Sequence, residues 1–149
     1  MKKIGLLMVA LLLFNSTFAE EMQGKKIRNA KFSDLPAMSQ EFITKYLTKL
    51  TIDYITIDGN RKAEVEFSDG TDLEFGRDGY FKEIENDRGL TLNHLQMLPG
   101  QMLTSLKNDF GKYRIEKVEH KNLYYKVELE GDNGKEIEIR YDLNGQYLY

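Results

Sequence analysis

The 149-residue chain contains no cysteine. That absence excludes disulfides, thiolate-held metals and lipid attachment at a cysteine, so the fold rests on its core alone. Histidine is almost missing: His94 and His120 are the only two, and no His-Glu-x-x-His pair is present to suggest a zinc site. Both are expected to be ordinary surface or loop residues. There is no Gly-x-Ser-x-Gly elbow and no phosphate-cradling glycine loop, so nucleophilic catalysis has no candidate residue. Positive charge is not in excess either. The formal net charge is −3, which leaves no basic footprint for nucleic acid and disfavours an anionic membrane surface. The longest apolar run, Ile4 to Phe14, is shorter than the roughly 20 residues that a membrane span needs.

That run has another use. It follows Lys2-Lys3 and precedes Thr17-Phe18-Ala19, the order of a secretory signal with small residues at the cleavage site. Residues 1–19 are therefore expected to be a signal peptide, and the protein periplasmic or secreted, with no membrane insertion after the signal is removed. Removal would leave 149 − 19 = 130 residues, with 21 − 2 = 19 basic against 24 acidic side chains, a net charge of −5. Apolar residues at 41% and charged residues at 30% are ordinary for a folded globular domain.

Residues 20–33 form a polar leader whose basic residues are Lys25, Lys26, Arg28 and Lys31. A solvated leader is expected, since chain termini are usually loosely held; an added edge strand is the alternative. From residue 34 the sequence is written twice, about 34–86 and 97–149, as one domain. In the first copy Ser33 or Asp34 can cap a helix with Pro36 in its first turn, and Phe42, Ile43, Tyr46, Leu47 and Leu50 give one apolar stripe. The second copy repeats this with Pro99, the stripe Met102, Leu103, Leu106 and Phe110, and Gly111 as a stop.

After each helix the apolar period changes to two. Ala63, Val65 and Phe67, then Leu73 and Phe75, alternate with acidic residues around the Asp69-Gly70 turn, a strong hairpin signal. Leu123, Tyr125, Val127 and Leu129, then Ile137, Ile139 and Tyr141, do the same in the second copy. Residues 52–57 and 115–120 are expected as first strands, and 80–84 and 146–149 as last ones. Each copy thus reads as one helix plus about four antiparallel strands. A unit of about 55 residues is marginal alone, so the expected fold class is α+β, a tandem repeat sharing one continuous antiparallel sheet with helices on one face.

The other face meets water. It collects Glu64, Glu66, Asp72, Glu74, Tyr124, Lys126, Glu128, Glu138 and Arg140, with Phe81 and its equivalent Tyr147 as ambiguous members because Ile84 competes with Phe81 for the buried side. Adjacent carboxylates can serve glycoside hydrolysis or hold calcium, yet alternating Glu is also what any solvated strand shows. An exposed tyrosine among charges has the composition of a protein-binding patch. The candidate binding residues are Glu64, Glu66, Glu74, Phe81, Tyr124, Lys126, Glu128 and Arg140. No catalytic residue, cofactor or metal ligand is expected.

The Leu-Pro helix start, then Val65-Glu66-Phe67-Ser68-Asp69-Gly70, Leu73-Glu74-Phe75 and Asp78-Gly79-Tyr80-Phe81-Lys82-Glu83-Ile84, resembles the PepSY-like family of small exported bacterial proteins. That family is related in fold to the β-lactamase inhibitor protein. Tyr125 to Leu129 and Ile139 to Gly145 resemble the same pattern. The resemblance implies a tandem α/β repeat with an open sheet face, and binding or inhibition by analogy. Position 81 is Phe where Trp is common, and the inhibitor's disulfides have no counterpart, so β-lactamase binding does not carry over. The leading expectation is a non-enzymatic exported module that binds an envelope or extracellular protein or peptide on its open face. The alternative is a small-molecule or carbohydrate binder that uses tyrosines and carboxylates of the same face.

Overall fold

The computed structural model describes residues 27–149; the expected signal peptide and the first part of the leader lie outside those residues. The elements run β1 (Ile27–Arg28), α1 (Ala37–Tyr46), β2 (Ile52–Ile57), β3 (Ala63–Phe67), β4 (Asp72–Phe75), β5 (Phe81–Leu90), α2 (Gly100–Asn108), β6 (Arg114–His120), β7 (Tyr124–Glu130) and β8 (Glu136–Asp142). The strands form one antiparallel sheet of eight in the order β1 to β8. The α+β class is as expected, but the strands are distributed differently. Two residues of the leader pair with β2, so part of it is an edge strand and not solvated coil. Residues 146–149, expected as a last strand, add only an isolated bridge, Tyr141 to Tyr147, and a few backbone bonds onto β8.

One row of side chains crosses seven strands and carries the core. Ile55, Val65, Leu73, Ile84, Val118, Val127 and Ile139 are successive cross-strand partners, and each is at most 4% exposed. Ile43, Leu47, Met102 and Leu106 from the two helical segments close over this row in the same cluster. Tyr125 and Ile137, expected in the core, are only partly buried at its margin, and Leu123 lies outside the strand, 80% exposed.

The helices begin without the expected side-chain caps. Pro36 and Pro99 themselves occupy the N-cap positions, at φ −53° in both. Asp34 instead closes a separate 3₁₀ turn by accepting the Lys31 N–H at 2.7 Å. Each proline packs against a hairpin glycine in the left-handed region. A Cβ at Gly79 (φ +81°) would lie 2.8 Å from Pro36 Cβ, and one at Gly145 (φ +90°) would lie 2.8 Å from Pro99 Cβ. Ser39 adds a buried bond by donating to the Gly79 carbonyl at 2.9 Å. The turns are set locally: Asp69, Asp78 and Asp142 each accept a backbone N–H two residues on, the Asx-turn chemistry of such residues.

Candidate functional site

The face away from the helices carries two polar rows. The first is Thr56, Glu64, Glu74, Glu83, Glu119, Lys126 and Arg140; the second is Tyr54, Glu66, Asp72, Glu85, Lys117, Glu128 and Glu138, each residue opposite the next. Seven of the eight expected binding residues therefore share this face. Phe81 does not. It is 7% exposed and stacked on Phe42 of α1 with ring centroids 5.3 Å apart. The cause is a register shift between Glu74 and Phe75, which sets Phe75 opposite Phe81 while Leu73 stays opposite Ile84. A bulge of this kind inserts one residue and reverses the parity beyond it, so Phe81 and Ile84 both point to the core.

The two halves of the face differ in how charge is balanced. On β3 to β5 carboxylates stand directly opposite one another: Glu64 with Glu74, Glu66 with Asp72, Asp72 with Glu85, and Glu74 with Glu83. Like charges in cross-strand pairs are destabilising. Burial, together with the charges of Glu66 and Glu85, pushes the Asp72 carboxyl up to about 6. Burial and then Glu83 and Glu64 push Glu74 up as well. Part of the relief comes from β6. Lys117 of β6 pairs with Glu83 at 2.8 Å and with Glu85 at 2.7 Å. Burial opposes its charge, but hydrogen bonds to these two carboxylates hold it protonated, well above the usual lysine range.

On β6 to β8 the charges are tied together. Lys126 Nζ lies 2.9 Å from Glu128 and 3.8 Å from Glu138, and also pairs with Glu119. Arg140 pairs with Glu138 at 2.8 Å and lies 5.1 Å over the Tyr124 ring. Thus Tyr124, Lys126, Glu128 and Arg140 are one connected network. Sequence reasoning missed Glu83, Glu85, Lys117 and Glu119 as members of the face. The signal was present: apolar residues three apart inside a strand, Ile52 and Ile55, Phe81 and Ile84, Ile115 and Val118, coincide with the register shifts of β2, β5 and β6.

Neither histidine is an ordinary surface residue. His120 is partly buried and stacks on Tyr125 at 5.0 Å and on Phe81 at 6.4 Å. His94 bridges the β3–β4 turn to the 3₁₀ turn before α2, its Nε2 2.8 Å from Asp69 Oδ2 and its Nδ1 accepting the Thr91 N–H at 2.9 Å. Thr91 Oγ1 is 2.8 Å from the same Nδ1, so the contact order imitates an Asp-His-hydroxyl relay. Its Nδ1 lone pair is already taken by a backbone N–H, which makes the imidazole a helix-turn cap and not a free base. Among the described residues no group of three or more His, Asp or Glu side chains is arranged to hold a metal ion. No described helix is long and apolar enough to cross a membrane.

An eight-stranded antiparallel sheet with two helices over one face, and a charged face opposite that no described helix covers, defines an α+β protein. The solved structures it is similar to include a "putative calcium-regulated periplasmic protein" from Bacteroides thetaiotaomicron, 17% identical, covering 83% of this chain and 94% of that one at a TM-score of 0.67. A periplasmic protein of unknown function from Bacteroides vulgatus is 22% identical, with 84% and 98% covered and a TM-score of 0.65. Another from the same species, of the DUF2874 family, is 19% identical, with 84% and 95% covered and a TM-score of 0.65. No curated protein matches the sequence. Residues 61–148 match the family described as "Putative beta-lactamase-inhibitor-like, PepSY-like", and the chain belongs to that PepSY-like family. The location expected from the N-terminal segment agrees with these structures, all described as periplasmic proteins.

Proposed function

We propose that this protein is an exported, non-enzymatic binding module that holds an extended, positively charged protein segment on its open sheet face. The observation that carries this reading is the set of opposed carboxylates on β3 to β5. A solvated face has no need of directly opposed like charges, and a local rule broken and compensated in part, here by Lys117 at Glu83 and Glu85, is expected where function demands it. Lysine or arginine side chains of a partner would relieve the repulsion, and the charge pattern would set orientation and association rate more than affinity. Among the described residues the helix-free face offers room for such a segment: seven strands at about 4.8 Å spacing are about 30 Å across.

The reading also treats the chain as two copies of one unit within a single domain. Support comes from the equivalent Pro36–Gly79 and Pro99–Gly145 contacts and from the helix-then-strands order of each half. No catalytic step is included, because the imidazoles are engaged in capping and stacking. The test is isothermal titration of the exported protein with a lysine-rich decapeptide and with a glutamate-rich control. Binding of the basic peptide should weaken steeply with salt and fall at least tenfold in an Asp72→Asn, Glu74→Gln, Glu85→Gln variant. Equal binding of both peptides, or an affinity unmoved by the substitutions, would overturn the reading.

A further inference from the structure

At one end of the open face, where β3 begins and the β4–β5 and β6–β7 turns meet, lies a trough of about 550 Å³. Lys62 and Lys82 line it, and neither has an ion-pair partner among the described residues. Elsewhere on the face the lysines are engaged: Lys117 by Glu83 and Glu85, Lys126 by Glu119, Glu128 and Glu138. Two of the three carboxylates in the trough wall are engaged as well, Glu83 by Lys117 and Glu119 by Lys121 and Lys126. Lys62 and Lys82 are therefore lining lysines outside any salt bridge among the described residues, beside one lining carboxylate, Glu74, that is outside one too.

The position of Lys82 is built in. A Cβ at Gly76 would lie 2.7 Å from Lys82 Cε, so the stem of the lysine lies across the turn where a side chain is missing. Along the strand axis the rows then follow in a fixed order. The Glu66–Asp72–Glu85 row is followed by the Glu64–Glu74–Glu83 row, and then by the Lys62 and Lys82 end. Along β3, Glu66, Glu64 and Lys62 are two residues apart, about 6.8 Å, which is also the spacing of alternate side chains in an extended peptide, while Lys82 is the inserted residue of the β5 bulge, next to Glu83.

We propose that the trough receives the free carboxylate at the C-terminus of a bound peptide whose alternate cationic side chains lie over the two acidic rows. This rests on the reading of the open face as a peptide-binding surface and adds the end of the chain that is recognised. Capture of a terminal carboxylate is an established mode of peptide recognition.

The experiment uses an octapeptide of alternating lysine and serine with lysine at the penultimate position, made as free acid and as C-terminal amide, titrated calorimetrically against the exported protein. The free acid should bind at least tenfold more tightly than the amide. In a Lys62→Met, Lys82→Met variant, with folding checked by circular dichroism, that advantage should vanish while the amide binds no more weakly than before. Equal affinities of acid and amide for the unmodified protein would overturn this inference and leave the open-face reading standing. An advantage that survives in the variant would also overturn it, since the carboxylate would be held elsewhere. Absence of binding by either peptide would overturn both.

Discussion

Replacing Asp72 by Asn should make the protein more stable at neutral pH. The side chain stands opposite Glu66 on one strand and Glu85 on the other and accepts no hydrogen bond that Asn would lose. Its folded-state pKa of about 6 lies above the ordinary 3.8. Between these values the folded state binds the proton more tightly than the unfolded chain, so the contribution to stability falls as pH rises through that window. The cost is fully present above pH 6 and absent below 3.8. Two pKa units correspond to roughly 3 kcal/mol as a ceiling, and because the carboxylate is only partly buried, solvent screening reduces this to about 1 kcal/mol. For a domain of this size that is a rise in Tm of about 4 °C. Urea and thermal unfolding at low salt should show the gain at pH 7, most of it gone at pH 4, and a smaller gain at 0.5 M salt. A neutral or destabilising effect at pH 7, or an equal gain at pH 4, would refute the reasoning.

Phe75 is 1% exposed and meets Phe42 edge-on at 5.5 Å; Phe75→Ala should cost about 3–5 kcal/mol in urea unfolding. Gly79→Ala places a side chain at φ +81° and against Pro36, and should destabilise by about 2 kcal/mol or more, read as a lowered urea midpoint. Lys126→Met leaves Glu119, Glu128 and Glu138 facing one another without their shared cation. It should cost about 1–3 kcal/mol at pH 7 and less in acid, as measured by paired melts.

The regular parts of the fold were legible in the sequence because they obey one period at a time. Ala63 to Phe67 and Leu73 to Phe75 alternate cleanly, and the structure buries Val65, Phe67, Leu73 and Phe75 as expected. The site was legible only where no bulge intervenes. Glu64, Glu66 and Glu74 were placed on the right face, whereas Phe81 was assigned to the wrong one because a register shift precedes it. Glu83, Glu85, Lys117 and Glu119 complete the charged rows, but their side depends on the bulges of β5 and β6 and on the pairing of those two strands across the middle of the sheet. That pairing joins segments separated by α2, and no local pattern encodes it. The helix starts failed for a different reason: proline holds the N-cap position through contact with a distant hairpin glycine, a tertiary substitute for a capping side chain.

The ammonium of Lys126, set among three carboxylates, is a counterion attached to the chain by a covalent bond. It cannot be diluted away, exchanged for another ion or removed by a chelator, and with Arg140 on Glu138 and Lys121 on Glu119 it balances the three carboxylates from within the chain. On β3 to β5 carboxylates stand opposite one another, and Lys117 is tied to the two on β5, Glu83 and Glu85. One surface thus joins a half that carries its own counterions to a half in which like charges face one another and added salt changes the repulsion between them.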